Sequence, residues 1–341
     1  MTSFGLSMGM PRPLTSTGWG GGGGGVSIVN NGVLAPFVTF TRASTATYFD
    51  SAGVMQTAAI DEPRVDYDPD TLELRGLLIE PQRTNLLLNS ATLSTQSVTV
   101  TATVHTLSFY GTGTVTLSGA STAGPLVGTG ANNRVTLTFT PTAGSLTLTV
   151  SGSVTLAQLE AGDFATSYIP TAGTAVTRAA DSATVTSLSS IRYNEDEGTI
   201  VTEYSAPPHD GVVYPGVMSL HNSGDTTTNY IQIFASASTK ILRVGMRSSG
   251  GNTEVTTLTG YLPGAVYRTA VAYRDADSAG CTNGANPVAI GLSPLPTGVN
   301  TMSIGTRLGN TSGQVVLCGH IRHLRYYPRR LSNAQLQAIT A

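Results

Sequence analysis

The sequence predicts a mainly β protein, with two sheet-built units in series behind a flexible arm, and three observations lead there. Charged residues make up only 11% of the 341 positions, and Thr, Ser, Gly and Ala fill the gap; an average soluble domain carries roughly a quarter charged. Apolar and hydroxyl residues alternate in VTVTATVHTL (98–107), GTVTLSG (113–119), RVTLTFT (134–140) and SLTLTVSGSVTL (145–156). That period of two puts one face of a strand in a core and the other in solvent. From about residue 190 the chain breaks again into short β-branched and aromatic runs, such as GTIVTEYSA, NYIQIFAS, RTAVAYR and HIRHLRYY. Short runs parted by turn residues are the pattern of a second antiparallel sandwich. With 40% hydrophobic residues, the chain has the apolar mass for packed cores, and its length suits two or three domains.

Taken in order, residues 1–32 read as an attachment arm. Glycines run unbroken from Gly20 to Gly25, and glycine loses the most entropy on ordering, so this run is expected to be a flexible tether. Trp19 precedes it, with Met8 and Met10 upstream; apolar anchors beside a tether suit a segment that orders on docking to a partner. Residues 33–90 concentrate charge. From Asp61 to Arg83 lie ten of the chain's 38 charged residues, which number 18 basic and 20 acidic. Arginines interleave with the acids there, which predicts structural ion pairs and not a catalytic carboxylate pair. Tyr67-Asp68-Pro69-Asp70 reads as a turn, and Leu72, Leu74 and Leu77-Leu78-Ile79 as the hairpin after it.

Residues 91–175 form the first sandwich, in which Arg134 is the only charge between 91 and 156. Its Thr and Ser face lacks the paired aromatics that stack on sugar rings, Phe109, Tyr110 and Tyr168 being the candidates of note, so a spacer is expected. The segment AVTRAADSATV (175–185) echoes FTRASTATY (40–48) and reads as a connector into the second unit, 190–341. That unit ends in a helix: Ser332 with Gln335 three residues on is a capping-box signature, and Leu336 and Ile339 give an apolar stripe.

Several function classes fall away. A net charge of -2 argues against nucleic acid, since phosphate binding needs clustered Lys and Arg. No apolar run approaches the roughly 18 residues of a membrane span, and no basic segment leads into an apolar stretch at the start, so neither membrane insertion nor a signal peptide is expected. Cys281 and Cys318 match no metal spacing and read as two small buried apolar residues. His209, His221, His320 and His323 form no zinc motif, and Asp225, Asp275 and Asp277 have generic spacing. The run Glu195-Asp196-Glu197, followed by Glu203, lies ahead of the strand that begins near Gly198. It therefore reads as a solvated loop, whereas a glycosidase needs two carboxylates meeting across a cleft. No catalytic residue, metal or cofactor is assigned. Binding remains. Aromatic faces and planar polar groups recognise sugars, and the loops of 190–341 are expected to supply them in Tyr204, His209, Tyr214, Asn222, Tyr230 and Arg247, with Asn252 nearby.

A resemblance sharpens this reading. TRASTATY (41–48), the Asp50–Gly53 turn, the phrase Ala59…Pro63-Arg64-Val65-Asp66-Tyr67-Asp68-Pro69 and RGLLIEPQRTNLL (75–87) together resemble a module near the N-terminus of bacteriophage appendage proteins. These are tail fibres, head fibres and the head spikes of gene transfer agents. LAQLEAGDFATSYIPT (156–171) is similar to a phrase that closes a carbohydrate-binding-module-like domain in such proteins. GHIRHLRYYPRRLSNAQL (319–336) resembles the last strand and closing helix of concanavalin-A-like, laminin-G-like jelly rolls. The resemblance implies a β-sandwich spacer followed by a concanavalin-A-like jelly roll. It implies a head fibre or head spike in the virion, or else a tail fibre, assembled in the host cytoplasm as a trimer or pentamer. The N-terminal arm, with Trp19, Met8 and Met10, would attach to a portal, capsid vertex or spike base, and the jelly roll would meet host surface polysaccharide. A capsule depolymerase and a purely architectural decoration protein are the rival readings.

Overall fold

The computed structural model describes residues 24–206, 214–249, 251–307 and 315–341; Met8, Met10, Trp19 and His209 lie outside them, as does most of the glycine run. The chain is mainly β, built of sandwiches, as its alternation predicts. The small sandwich packs a three-stranded sheet (Gly130–Phe139, His105–Gly111, Val154–Ala161) on a four-stranded one (Leu126–Val127, Thr114–Gly119, Gly144–Ser151, Gln96–Val100). Val115, Leu117, Leu146 and Leu148, the apolar members of the Thr-alternating runs, meet Leu107, Phe109 and Leu159 in its core.

The large sandwich faces two antiparallel sheets across one core. Its first sheet runs Val33–Leu34, Val26–Asn30, Gly319–Tyr327, Glu197–Ser205, Val266–Arg274, Ser278–Thr282 and Val288–Ile290, with Leu74–Ile79 also paired to Gly319–Tyr327 and carrying Val65–Tyr67 at its side. The second runs Gly251–Thr259, Ile241–Ser248, Asp225–Ser236, Gly216–Asn222, Thr301–Ile304, Ser182–Val185 and Thr39–Thr41. Successive side chains point to opposite faces of a strand, so Ile200 enters the main core while its neighbour Val201 turns to the outside of the sheet. There, beside Ala270, Ala272 and Ala279, it receives Leu336 of the closing helix Asn333–Thr340. Ser332 and Gln335 form the expected capping box.

The sheets do not follow the sequence zones. Val26–Asn30, counted with the arm, pairs antiparallel with Gly319–Tyr327, and Ile28 and Val29 are fully buried. Thr39–Thr41 and Leu74–Ile79, expected in a module of their own, are strands of the large sandwich, as is Ser182–Val185 of the supposed connector. Each of these segments is too short to hold its shape without partners, and those partners lie far along the chain. Gly76 shows why its position admits no side chain: its φ is 122°, and a Cβ there would lie 2.7 Å from the Ile321 carbonyl oxygen.

Candidate functional site

The charged phrase that carries the resemblance folds into a buried knot. Arg64 donates to Asp181 at 2.6 Å and pairs with Glu80 at 2.9 Å; Arg42 reaches the other Asp181 oxygen at 3.2 Å, and Arg178 lies 3.3 Å from Glu80. All five side chains are at most 5% exposed. Asp181 also accepts the Glu80 N–H, and Arg178 donates to the Pro81 carbonyl. The echo between 40–48 and 175–185 thereby acquires a physical meaning. Phe40 and Ala183 are register partners, Ser44 Oγ accepts the Ala179 N–H, and the two arginines enter one cluster. Such a cluster holds segments in register, because a buried charge that loses its partner is strongly destabilising. Ion pairing was the sequence-based expectation for Arg64 and Glu80; the partner Asp181 was not foreseen.

The sequence-predicted binding residues fall into two groups. Tyr204 is corrected: it sits on the strand Glu197–Ser205, 1% exposed, with its hydroxyl against Thr269 Oγ1 in the main core. Burial pushes its phenol well above the usual tyrosine range. An alternating strand had placed it inward, where a loop was expected. Of the others, His209 lies outside the described residues, and Tyr214, Tyr230 and Arg247 lie on the outer face of the second sheet. Tyr230 and Arg247 are register partners, Arg247 and Asn252 are the next pair, and the Tyr230 hydroxyl donates to Asn252 Oδ1 at 3.2 Å. Strands lie about 4.8 Å apart, so this row spans about 10 Å. Asn252 is exposed and Arg247 half-buried, whereas the Tyr230 ring is covered. Asn222 closes the adjacent hairpin, its Oδ1 accepting the Gly224 N–H.

Further along the same face, Tyr214 stands edge-on to Phe234. Arg307 stacks on the Phe234 ring at 4.0 Å while donating to Gln232 and to Glu254. Phe234 lies over Gly245, which leaves room for a ring, and Glu254 also takes Arg243. Arg307, Gln232 and Glu254 were absent from the sequence reading. For Gln232 the signal was the alternation of NYIQIF (229–234), which puts it on the same face as Tyr230; Glu254 and Arg307 lie in runs that gave none.

The remaining candidates serve structure. Glu203 pairs with Arg268 and Arg322. His221 Nε2 lies 3.1 Å from Ser303 Oγ, and burial holds its pKa below the ordinary histidine value. His320 pairs with Asp66 across the 254 positions between them. Glu195, Asp196 and Glu197 line a shallow groove with Arg274 and Asp275. Both cysteines are buried and unpaired, and burial raises both thiols. Among the described residues, no group of three or more His, Cys, Asp or Glu could hold a metal ion. No described helix is long and apolar enough to cross a membrane.

No family model matches the chain, and no curated protein matches it. Among solved structures, the chain is similar to the CBM40 of the Ruminococcus gnavus IT-sialidase at 15% identity and a TM-score of 0.38, over 45% of this chain and 86% of that one. It is similar to the native heptameric SAP-like pentraxin of Limulus polyphemus at 15% identity and a TM-score of 0.32, over 42% and 70%. A third likeness is to the binding domain of botulinum neurotoxin DC in complex with rat synaptotagmin II, at 10% identity and a TM-score of 0.36, over 47% and 40%. At these values the likenesses assign no role to any residue.

Proposed function

We propose that this chain is a virion structural protein, a head fibre or head spike of a tailed phage or phage-like particle, that binds host surface polysaccharide through its C-terminal jelly roll. The phrase running from Thr41 to Leu87 supports the particle half of the reading. The binding half is carried by the row of Tyr230, Arg247 and Asn252, which sets planar hydrogen-bonding groups across neighbouring strands at one end of a rigid sheet. Sites on strands hold their geometry better than sites on loops. The N-terminal arm would dock on a portal, vertex or spike base. Rotational symmetry at that attachment implies a homo-oligomer, a trimer or a pentamer. Many weak contacts on one particle then add by avidity, so each need not be tight. Tail fibre is the variant placement of the same reading.

The test is pulldown of purified multimeric protein by host cells with and without their surface polysaccharide, followed by sizing of the polymer. Capsule-dependent binding that falls in an Arg247→Ala, Asn252→Ala double variant, with the polymer intact, is the expected result. Shortened polymer would make the protein a depolymerase. Equal absence of binding to both cell types would leave an architectural decoration protein.

A further inference from the structure

The junction of residues 33–90 with the two sandwiches encloses a cavity. Between the small sandwich, the strand Ala46–Phe49 and the edge of the large sandwich lies an open cleft of about 630 Å³. That volume is within the ~300–1,000 Å³ range of small-molecule sites, which favour interfaces between domains. Five aromatic residues line it: Tyr48, Phe49, Tyr110, Phe164 and Tyr168. None of the five belongs to any of the three hydrophobic cores. Tyr110, Phe164 and Tyr168 are themselves buried, at 7%, 8% and 5% exposed, and pack beneath the cleft's surface. Tyr48 and Phe49 are half-buried, so their rings are partly open to the cleft.

The polar lining points to the ligand class. Asn132 and Asn133 are exposed on the strand Gly130–Phe139, and Asn133 Nδ2 is steadied by Thr129 Oγ1 at 2.7 Å, which leaves its amide oxygen aimed elsewhere. Asp66 is fixed by the Phe49 N–H and by His320 Nε2, both at 2.8 Å. Asp68 is held by Arg75, Arg322 by Glu203, and Arg134 by the Thr166 carbonyl and Ser108 Oγ. The lining acids Asp66, Asp68, Asp70, Glu73 and Glu80 outnumber the arginines Arg75, Arg134 and Arg322. A polyanion has no unpaired cluster of cations to meet here. Ring faces, amides and paired carboxylates instead suit the alternating apolar faces and hydroxyl edges of an uncharged sugar.

We propose that the cleft between the two sandwiches is a second binding site, for a short neutral oligosaccharide. The small sandwich then supplies half of a site and is not only a spacer. The outer-face row contributes no residue to it; the phrase from Thr41 to Leu87 supplies Tyr48, Phe49, Asp66 and Asp68 to its lining, but sugar binding there does not depend on where a particle would carry the chain.

Calorimetric titration of the full chain with maltotetraose, cellotetraose, mannotetraose, chitotetraose and, as the acidic comparison, tetragalacturonate tests it. At least one neutral tetrasaccharide is expected to bind with a Kd of about 1 mM or tighter, and more tightly than tetragalacturonate. Tyr48→Ala and Asn133→Ala should each weaken it about three- to tenfold, and Arg247→Ala should leave it unchanged. Neither cleft residue lies in a core, and a thermal melt for each variant confirms folding. Absence of binding by all four neutral sugars overturns the proposal. So does binding lost in Arg247→Ala but not in the cleft variants, which would place the sugar on the outer face and leave the adhesin reading intact. Tightest binding of tetragalacturonate would overturn the ligand class. Retained cleft binding beside failed cell binding would sink the adhesin reading alone.

Discussion

Glu80 and Glu160 sit at similar depth, 4% and 0% exposed, and hold consecutive residues of one turn in the same way. Glu160 accepts the N–H and hydroxyl of Thr166; Glu80 accepts the N–H and hydroxyl of Ser167. Their acidities nevertheless move apart. Burial raises the Glu160 carboxyl, whose only ion pair among the described residues is a 3.7 Å approach from Arg83. Glu80 suffers the same burial, yet Arg178 and Arg64 beside it drive its carboxyl far below the usual range. Glu160 belongs to the small sandwich and Glu80 to the knot that ties the large one together. Depth sets the cost of a charge, and the company it keeps decides the sign.

The comparison breaks most sharply at Asp181. Asp181→Ala leaves Arg42 and Arg64 buried without their shared carboxylate, and a loss of about 3–5 kcal/mol is expected in guanidinium denaturation; a loss below about 1 kcal/mol would mean the knot is not a fastening. Leu148→Ala, in the small sandwich, should cost about 3 kcal/mol by cavity formation. Since Leu148 belongs to a separate core, amide exchange should quicken across 96–161 and stay as it was across 216–259. Equal loosening of both regions would show one cooperative unit.

The two glutamates sharpen the contrast through pH. The folded pKa of Glu80 is depressed, so its stabilisation is present above the unfolded carboxylate value of about 4.3 and drains as pH falls toward the folded value. Glu160 is raised, so stability declines as pH climbs from about 4.3 through its folded pKa. Glu80→Gln should therefore cost about 1.5–3 kcal/mol at pH 7 and flatten the acid limb of stability. Glu160→Gln should stay within about 1 kcal/mol of the parent at pH 7 and remove the decline above pH ~4.3. Urea titrations at several pH values decide this, and parallel profiles for the two variants would contradict it. The smallest effect belongs to Ser332→Ala, which removes the capping box at about 1 kcal/mol; its measure is the thermal midpoint.

Much of the architecture could be read from local pattern. GTVTLSG and SLTLTVS are the strands Thr114–Gly119 and Gly144–Ser151, in register at Leu117 and Leu148. The capping box and Leu336 lie where Ser332 and Gln335 predict them. Tyr204 was misplaced because it was read as a loop residue, whereas the strand runs on to Ser205 and turns it inward; Glu203 before it is likewise buried, against Arg268 and Arg322. Val26–Asn30 was assigned to the arm because it follows directly on the glycine run, while its long partner Gly319–Tyr327 lies near the far end of the sequence. On the outer face, Tyr230 and Arg247 were legible as residue types suited to sugars, but not that one would be the covered floor and the other the rim.

The sequence by itself determined the class of the fold, the strands with strict alternation and the closing helix, since each depends on neighbours two to four positions away. It also showed that the charges near Arg64 would pair. Only the tertiary structure decided with whom: Arg64 meets Asp181 across 117 positions and His320 meets Asp66 across 254. It likewise decided that five aromatics would converge on one cleft, three of them buried and Tyr48 and Phe49 half-open. A strand period is a local property of the backbone, whereas burial of a charge or a ring depends on which distant segments arrive to surround it.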